Sequence, residues 1–334
     1  MPEAQPAMSL SLMAESAFAD LEQTLAALRA QSNCGRLEAV ISRADAVKDE
    51  LKPEWIEGFH SVKILPSPSA SPMWDWRAAA VRAASAPIIA LCEDHSFPEP
   101  GWAEALLAAH EGGNWAGVGP GMLNYNPQTA TSWASFLIEY GSWAYPVRGG
   151  EMHHIPGNNS AYRRDVLLKE FGDELGERLR AETAMQWELR RRGHRFLLEP
   201  KARTRHMNRS LPWTNYKVHF QAGRVFAVGR CRDWSLLVRL AWAAAAPVLI
   251  PAVRFSRGIA SAWRVGGLGL VLRVSPILAG NLVSDGLGQM LGYLTKRADV
   301  EIEPLSQIHF GRKNYVTDTE KATLRGRAEG DSAG

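Results

Sequence analysis

The first half of the chain contains apolar segments of two kinds. Short ones that end in polar residues or prolines predict strands: MSLSLMAE (8–15), RLEAVISRAD (36–45), SVKILPSPS (61–69) and PIIALCED (87–94). Between them, AFADLEQTLAALRAQS (17–32) and WDWRAAAVRAASA (74–86) have apolar residues at the spacing of amphipathic helices. The alternation of strands and helices predicts an α/β fold with a mostly parallel central sheet and flanking helices.

The pattern is looser after residue 110. GPGMLNYNP (119–127) is rich in turn residues, whereas TSWASFLIEYGSWAYP (131–146) predicts a helix that carries several aromatic residues. Farther on, ETAMQWELRRRG (182–193) predicts a helix that stops at Gly193, and the strand after it ends at His206. We therefore place the end of the sheet domain near residue 210.

Two long apolar segments follow, at 236–252 and 265–294, and arginines and prolines interrupt both. A helix that spans a membrane needs ~20 apolar residues with few charges, so both are marginal candidates. The pattern favours helices that lie in a membrane interface, and the alternative is a helical subdomain packed on the sheet. The predicted domains are 1–210, the basic apolar helical region 211–298, and a polar tail at 299–334 without fixed structure.

Charge is distributed unevenly along the chain. From Lys201 to Ala298 there are fifteen lysines and arginines and two acidic residues, a balance of +13 that leaves −10 for the rest. A basic segment of this kind indicates an anionic partner. Its arginines alternate with long aliphatic runs, which favours an anionic membrane surface over nucleic acid.

The cysteines and the N-terminus bear on location. Cys34, Cys92 and Cys231 are far apart, so neither a zinc knuckle nor a disulfide framework is expected, and a reducing cytosol is the simplest environment. The first residues contain no basic segment before an apolar stretch, so we expect no secretory signal.

Candidate chemistry begins where the fourth predicted strand ends. Glu93, Asp94 and His95 follow the apolar run IIALC, and Asp45 ends the second strand. In open α/β sheets ligands bind at the carboxyl ends of strands, and carboxylate and imidazole groups can bind a divalent cation. The alternative is that these residues only begin a solvated loop.

Five segments, in order along the chain, resemble the family 2 glycosyltransferases of the membrane-associated bacterial type. The similar segments are LEQTLAALRAQS (21–32), RAAAVRAASAP (77–87), EDHSFPEPGW (93–102), GNNSAYRRDVL (157–167) and AETAMQWELRRRGHRFLLEPKARTRH (181–206). The resemblance covers roughly residues 8 to 210. It implies the A-type, Rossmann-like fold of nucleotide-diphospho-sugar transferases.

The resemblance also implies roles for individual residues. Residues expected to contact the nucleotide are Glu15, Asp45, Arg77, Glu93 and Asp94. Asp94, His95 and His206 are the expected ligands of a divalent cation, Mn²⁺ or Mg²⁺. Because a histidine replaces the third acidic residue of the family's triplet, the identity of the metal and metal dependence itself stay open.

Two further expectations concern the acceptor. Glu182 corresponds to the position of the family's general base, and the alternative is a helix-start glutamate stabilised by the helix dipole. The loop Gly157–Asn158–Asn159 is expected to line the acceptor side, and the alternative is a plain helix-entry loop.

Together these features predict a metal-dependent, inverting glycosyltransferase. It would move a sugar from a nucleoside diphosphate donor to a glycan or lipid-linked acceptor, and it would be a cytoplasmic enzyme attached peripherally to the inner face of the cell membrane. The alternative function is a non-catalytic nucleotide-sugar-binding or membrane-scaffold protein on a decayed glycosyltransferase fold. No nucleic-acid partner is expected.

Overall fold

The computed structural model describes residues 5–297 and 312–321. Within these residues nine strands form one sheet: β1 (Met8–Ala14), β2 (Leu37–Ala44), β3 (Ser61–Ser67), β4 (Ile88–Leu91), β5 (Ser96–Pro98), β6 (Gly117–Asn124), β7 (Gly150–Met152), β8 (Ser160–Arg163) and β9 (Phe196–His206). All four strands predicted in the first half of the chain are confirmed as β1 to β4.

The α-helices are α1 (Glu22–Arg29), α2 (Pro53–Ile56), α3 (Met73–Ala83), α4 (Trp102–Glu111), α5 (Ala130–Tyr140), α6 (Arg164–Phe171), α7 (Leu175–Leu179), α8 (Glu182–Arg191), α9 (Pro212–Arg230) and α10 (Leu236–Thr295). Short 3-10 helices lie at Phe18–Leu21, Cys34–Arg36, Gly141–Trp143, Gly172–Glu174 and Arg312–Tyr315. The helix predicted to stop at Gly193 is α8, and Gly193 has a φ of +91°, a value that glycine adopts readily.

The chain divides into two compact units. We call Met1–Leu123 with Val147–Arg205 the sheet unit, and Asn124–Pro146 with His206–Gly334 the helical unit. The sequence placed a boundary near residue 210, close to the break at Arg205, but it did not separate the segment around α5 from the sheet domain.

The sheet has the strand order β3-β2-β1-β4-β8-β6-β9-β5, and β7 pairs with β9. Strands β1, β2, β3 and β4 pair in parallel, with Met8 opposite Leu37 and Ile88. The pairs β4–β8, β6–β8 and β7–β9 are antiparallel. The predicted α/β class is therefore confirmed, and the parallel half brings the carboxyl ends of β1, β2 and β4 to one edge.

Helices and strands of the sheet unit enclose a hydrophobic core. Its buried side chains include Val81 of α3, Ile89 of β4, Tyr162 of β8, Leu189 of α8 and Phe196 of β9. This core joins α3, which follows β3, to α8, which is far away in sequence. The two helices can therefore present polar side chains to each other beside the strand ends.

The turn-rich segment GPGMLNYNP is where the expected local structure was wrong. Residues 117–124 form the buried strand β6. A Cβ atom on Gly119 would lie 2.7 Å from the Cβ of Ile155, so glycine here permits close packing of the strand on the 155–156 segment. The glycine at position 119 therefore reflects close packing of β6 on the 155–156 segment, and not a turn.

The helical unit contains the two apolar segments within one long helical stretch, α10. By length and composition α10 qualifies as a membrane-crossing helix, and it is the one helix among residues 5–297 and 312–321 that does so. Its backbone is not helical at Gly267, where φ is +62° and ψ is −160°. We call 236–266 the N arm and 268–295 the C arm.

The predicted tail at 299–334 lies largely outside the described residues. The part that is described, 312–321, contains the last 3-10 helix and a helical turn at 318–321. Glu320 is buried there, where its carboxylate accepts hydrogen bonds from Thr129 and Asn126, both at 3.2 Å. This segment has a fixed structure where the sequence predicted none.

Candidate active site

Three of the predicted site segments lie at the carboxyl edge of the parallel strands. Glu15 follows β1, Asp45 follows β2, and Glu93–His95 follow β4, whose Leu91 pairs with Ser11 of β1. Asp45 is exposed, and its carboxylate accepts a weak hydrogen bond from Ser69 N at 3.4 Å. The nucleotide-binding roles of Glu15 and Asp45 stay predictions.

Arg77 links two of the predicted acidic residues. It lies in the first turns of α3 and is 4% exposed. Its Nη2 donates to Glu93 Oε1 at 3.0 Å, and its Nη1 donates to Glu182 Oε1 at the start of α8. The sequence separates these three residues by up to 105 positions, and the fold joins them through one guanidinium group.

Glu93 is the centre of a second set of contacts. Its Oε2 accepts a hydrogen bond from Asn158 Nδ2 at 2.8 Å and lies 3.1 Å from His95 Nε2. The other ring nitrogen of His95, Nδ1, lies 2.5 Å from Asp94 Oδ1. Glu93, Asp94, His95, Asn158 and Arg77 therefore form one polar cluster at the end of β4.

Burial and neighbouring charges shift the pKa values of this cluster. Burial raises the pKa of Glu182 above its usual range, and the negative charge of Glu93 adds to this, whereas Arg77 opposes it. For Arg77 burial alone would lower the pKa, but the carboxylates of Glu182 and Glu93 outweigh burial and raise it. Arg77 is thus a permanent cation, and Glu182 is a carboxylate with an enhanced affinity for a proton.

The loop at 155–159 lies directly beside Glu182. A Cβ atom on Gly157 would lie 2.2 Å from Glu182 Oε2, so only glycine leaves room for the carboxylate. Gln186, one turn after Glu182 on α8, fixes the loop: its Oε1 accepts from Ile155 N at 2.7 Å and its Nε2 donates to Ile155 O at 3.2 Å.

Gln186 is a site residue that sequence reasoning missed. It sits in a helix as an ordinary polar residue, and its spacing of four from Glu182 is the signal that it shares a face with the proposed base. In the structure it is fully buried and also donates to Tyr162 Oη at 2.7 Å.

Asn158 and Asn159 point their amides into the sheet unit. Asn158 donates to Glu93, and Asn159 Nδ2 donates to Thr204 Oγ1 at 2.6 Å and to Ser96 O at 3.3 Å. Asn159 has a φ of +48°, a left-handed conformation that asparagine tolerates better than most residues. These contacts favour a role in shaping the loop, so the acceptor-binding role stays a prediction that rests chiefly on Gly157.

The donor set around His95 fits a divalent cation. Both ring nitrogens of His95 lie within 3.1 Å of a carboxylate oxygen, but a neutral imidazole has only one N–H to donate. The lone pair on the other ring nitrogen of His95 would face a negative carboxylate oxygen, unless a proton or a metal ion lay between the two atoms. Carboxylate oxygen and imidazole nitrogen are ligands that Mn²⁺ accepts.

His206, the last predicted metal ligand, ends β9 and belongs to the helical unit. It is fully buried, its Nδ1 lies 2.9 Å from Asn208 Oδ1, and its Nε2 lies 3.1 Å from Tyr140 Oη. Asn208 donates its own amide to His206 O at 2.8 Å, which directs its Oδ1 to the ring. Nδ1 is therefore the N–H donor, and the lone pair of Nε2 accepts from the Tyr140 hydroxyl, which a metal ion at Nε2 would have to displace.

Substitution of Gly157 by alanine tests the contact with Glu182. The added methyl group must displace the carboxylate from its position beside Arg77. If Glu182 is the general base, as the sequence predicts, Gly157→Ala should lower the turnover number about 10²-fold, the typical cost of misplacing a catalytic group by about 1 Å, with little change in melting temperature. Gly35→Ala is the control, since its nearest neighbour, Gly58 O, would lie 3.8 Å away. Equal turnover in the two variants would contradict the placement of Glu182.

Comparison with known proteins identifies the first part of this arrangement. Residues 15–171 match the family model described as glycosyl transferase family 2. No curated protein matches the chain. Among 184 matching chains of solved structures is the crystal structure of GalNAc-T7 with UDP, GalNAc and Mn²⁺.

That structure has 14% sequence identity and a TM-score of 0.43, and the match covers 61% of this chain and 44% of the other. This chain thus spans less than half of its length. The matched residues 15–171 contain Asp45, Arg77, the Glu93–His95 triplet and the Gly157 loop, whereas Glu182 and His206 lie beyond them. Residues 15–171, slightly less than half of the chain, therefore resemble a glycosyltransferase family 2 domain.

Proposed function

We propose that the protein is an inverting glycosyltransferase that transfers a sugar from a nucleoside diphosphate donor to an acceptor hydroxyl, with Glu182 as the general base. The observation that supports this most directly is the position of Glu182: it faces Gly157 and shares Arg77 with Glu93 of the strand-end triplet. One cluster thus contains a base and the groups that meet the donor.

Glu182 takes the proton of the acceptor hydroxyl while that oxygen attacks the anomeric carbon. The bond between the anomeric carbon and the phosphate oxygen breaks, and its electron pair leaves with the nucleoside diphosphate. A single attack of this kind inverts the configuration of the carbon. Because burial raises the pKa of Glu182, its carboxylate is a stronger base than an exposed glutamate.

Asp94, His95 and His206 are the proposed ligands of a divalent cation. When bound, the cation supplies charge stabilisation to the leaving diphosphate. Glu93 orients His95 through the 3.1 Å contact and is itself oriented by Arg77 and Asn158. Glu15, Asp45 and Arg77 complete the proposed nucleotide site at the same edge of the sheet.

The acceptor is proposed to be a glycan or lipid-linked precursor at the inner face of the cell membrane. The support is the basic, apolar character of residues 211–298 and the length and composition of α10.

Calorimetry of nucleoside diphosphates tests the donor site. We expect at least one of UDP, GDP, CDP and dTDP to bind, more tightly with Mn²⁺ present than with EDTA. Asp94→Asn should weaken the Mn²⁺-dependent binding at least about tenfold, because it removes a ligand charge. The exposed Asp173→Asn is the matched control.

Two results would contradict parts of this proposal. Binding that is equal with Mn²⁺ and EDTA would remove the metal from the mechanism but leave a glycosyltransferase. Absence of binding by every diphosphate would contradict the donor site itself. Release of free sugar from the matching nucleotide-sugar then measures the transfer reaction with water as acceptor.

A further inference from the structure

The long helix α10 buries several polar residues and exposes many large apolar ones. Many large apolar side chains of α10 are exposed, among them Leu237 at 79%, Val248 at 74% and Leu272 at 67%. In contrast Asn281, Asp285 and Gln289 are at most 4% exposed. A helix of a soluble protein buries its apolar face and exposes its polar one.

Two of these buried polar residues, Asp285 and Gln289, have polar partners within the hairpin, whereas neither side-chain amide atom of Asn281 has a hydrogen-bond partner in the described part of the chain. Asp285 of the C arm forms an ion pair with Arg254 of the N arm, and Gln289 Nε2 donates to Asp285 Oδ1 at 3.3 Å. Arg254 also donates to Ile138 O at 3.3 Å. Internal pairing of this kind is expected where the surroundings of a helix bundle cannot solvate a charge.

The two arms of α10 fold back on each other at Gly267. A Cβ atom on Gly258 would lie 2.8 Å from Leu278, and one on Gly286 would lie 2.9 Å from Ala246 O. Near the ends of the arms, Arg239 Nε donates to Tyr293 O at 2.9 Å. These contacts pair early residues with late ones, so the arms form an antiparallel hairpin with both ends on the same side.

Small residues allow α9 to pack closely on the C arm. Gly280, Ser284, Gly288 and Gly292 recur every fourth residue and face α9. Cβ atoms on Gly288 and Gly292 would lie 1.9 Å from Phe220 O and 2.6 Å from Arg224 O. Close packing through small residues is typical of helices in lipid, where burial of apolar surface gives no advantage.

The outer surface of the N arm is largely apolar. Its exposed apolar residues include Leu237, Ala241, Ala244, Val248, Ala252, Ala260 and Trp263, which are three or four positions apart except where the exposed Ser256 lies between Ala252 and Ala260. The C arm continues the surface with Leu268, Leu272, Pro276, Val283, Leu287 and Leu294. We call the exposed residues of these two sets the apolar face.

Exposed charge on the hairpin is positive. Arg257, Arg264 and Arg273 are exposed, and Asp285, the only acidic residue of α10, is buried. Arg264 also donates to Gly141 O at 2.7 Å, and Arg273 donates to Gln128 O. Exposed arginines beside an apolar face are complementary to anionic lipid headgroups.

The position of the charges argues against a hairpin that crosses the membrane. Arginines occur in both arms, and α9, which packs on the C arm, exposes Lys217. Charges spread over this length would place several of them in the hydrocarbon core of a spanning hairpin, at a cost of a few kcal/mol each. A hairpin that lies along the surface keeps every exposed arginine at headgroup depth.

We propose that the α10 hairpin lies in one leaflet of an anionic bilayer, with both arms parallel to the surface, the apolar face among the acyl chains and the exposed arginines at the headgroups. This inference deepens the proposed membrane attachment: it specifies the lipid-contacting surface and a one-sided mode of insertion. It does not depend on which sugar is transferred.

Vesicle flotation of the full chain tests the apolar face. We expect the protein to float with vesicles of phosphatidylcholine and phosphatidylglycerol. The triple variant Leu237→Ser, Val248→Ser, Leu272→Ser should partition about 100-fold more weakly, because three large apolar groups no longer leave water. Ile64→Ser, which removes an exposed apolar side chain of the sheet unit, should partition as the wild type does.

The charge of the hairpin is tested separately. Arg257→Gln should reduce partition into phosphatidylglycerol vesicles about fivefold and leave partition into neutral vesicles unchanged. Donor hydrolysis in solution should be the same in all these variants. Partition of the triple variant equal to that of the wild type would overturn the inference. If the wild type did not hydrolyse any donor, only the proposed glycosyltransferase activity would be contradicted.

Depth measurements distinguish a flat hairpin from a spanning one. Nitroxide labels on Leu237→Cys, Val248→Cys and Leu272→Cys should report similar, shallow depths in the bilayer; the native cysteines Cys34, Cys92 and Cys231 are buried. Residues 237 and 248 are eleven positions apart, which is about 16 Å along a helix. A depth difference near that value would show a spanning hairpin and overturn the proposal.

Discussion

Replacement of Glu182 by glutamine should abolish most turnover and leave donor binding intact. We expect the rate of sugar transfer to fall about 10²- to 10⁴-fold, the usual contribution of a positioned general base. The amide has the shape of the carboxylate and still offers Oε1 to Arg77, but it cannot take the proton of the acceptor hydroxyl. Calorimetry of the nucleoside diphosphate should give an unchanged affinity.

The exposed Glu177→Gln in α7 is the matched control, and it should keep full turnover. This pair of variants also decides between the enzyme and the non-catalytic alternative. A scaffold protein that only binds nucleotide-sugars has no turnover to lose, so both variants would behave like the wild type. Full activity of Glu182→Gln would contradict the assignment of the base while leaving the donor site untouched.

The acid side of the pH–rate profile should report the ionisation of Glu182. The base must be ionised to act, so the rate should fall as the pH drops through its pKa. Because burial raises that pKa, the fall should begin at a higher pH than an exposed glutamate would give. The residual activity of Glu182→Gln should not show this fall in rate at acid pH.

The local pattern of the sequence was enough for the parallel half of the fold. Strands β1 to β4 and helices α1 and α3 follow from apolar periodicity and from prolines, since their partners are their neighbours in sequence. β6 was missed because two glycines and a proline mark turns in most contexts, and only the contact of Gly119 with Ile155 shows that they permit packing.

For the candidate site the sequence indicated the residues but not their connections. The position of the Glu93–His95 triplet follows from the end of β4, and that of Glu182 from the start of α8. That one buried guanidinium would join them was not predictable, because it depends on α3 and α8 packing on the same core. Gln186 was missed for the same reason: its role is a contact with Ile155, 31 residues away.

The long apolar region shows a different limit. Its composition indicated contact with a membrane. A spanning, an interfacial and a soluble helix can share that composition, and they differ in whether each side chain faces lipid, water or protein. The fold-back at Gly267 and the Arg254–Asp285 pair assign each residue to the inside or the outside of the hairpin. The spacing of apolar residues alone does not show which residues face inward, because both faces of the hairpin contain alanine, glycine and leucine.

The largest expected effect on stability is that of Arg77→Met. This variant leaves Glu93 and Glu182 enclosed without their shared cation, and removal of one partner from a buried ion pair typically costs about 3–5 kcal/mol in free energy of unfolding. Two like charges in one cluster then raise the pKa of Glu182 further, since Glu93 already raises it and Arg77 opposes the rise.

The loss of stability should therefore depend on pH, with a sign that follows from proton binding. In the variant the folded state holds a proton on the cluster at pH values where the unfolded glutamate, with a pKa of about 4.3, has released it. Stability then falls as the pH rises through that window, so the deficit relative to wild type should be smaller at pH 5 than at pH 8. Denaturant titrations at the two pH values measure it.

Arg82→Met, on the exposed side of the same helix, separates the loss of the cluster from the loss of any arginine. Its guanidinium donates to Gly172 O at 3.0 Å and to no carboxylate among the contacts described, so we expect a small deficit that is equal at both pH values. Arg77→Lys should recover part of the stability, since an ammonium group restores the charge but cannot span both carboxylates as the planar guanidinium does. A deficit of Arg77→Met that did not change with pH would mean that Arg77 acts through packing, and the electrostatic account of Glu182 as a proton acceptor would lose its basis.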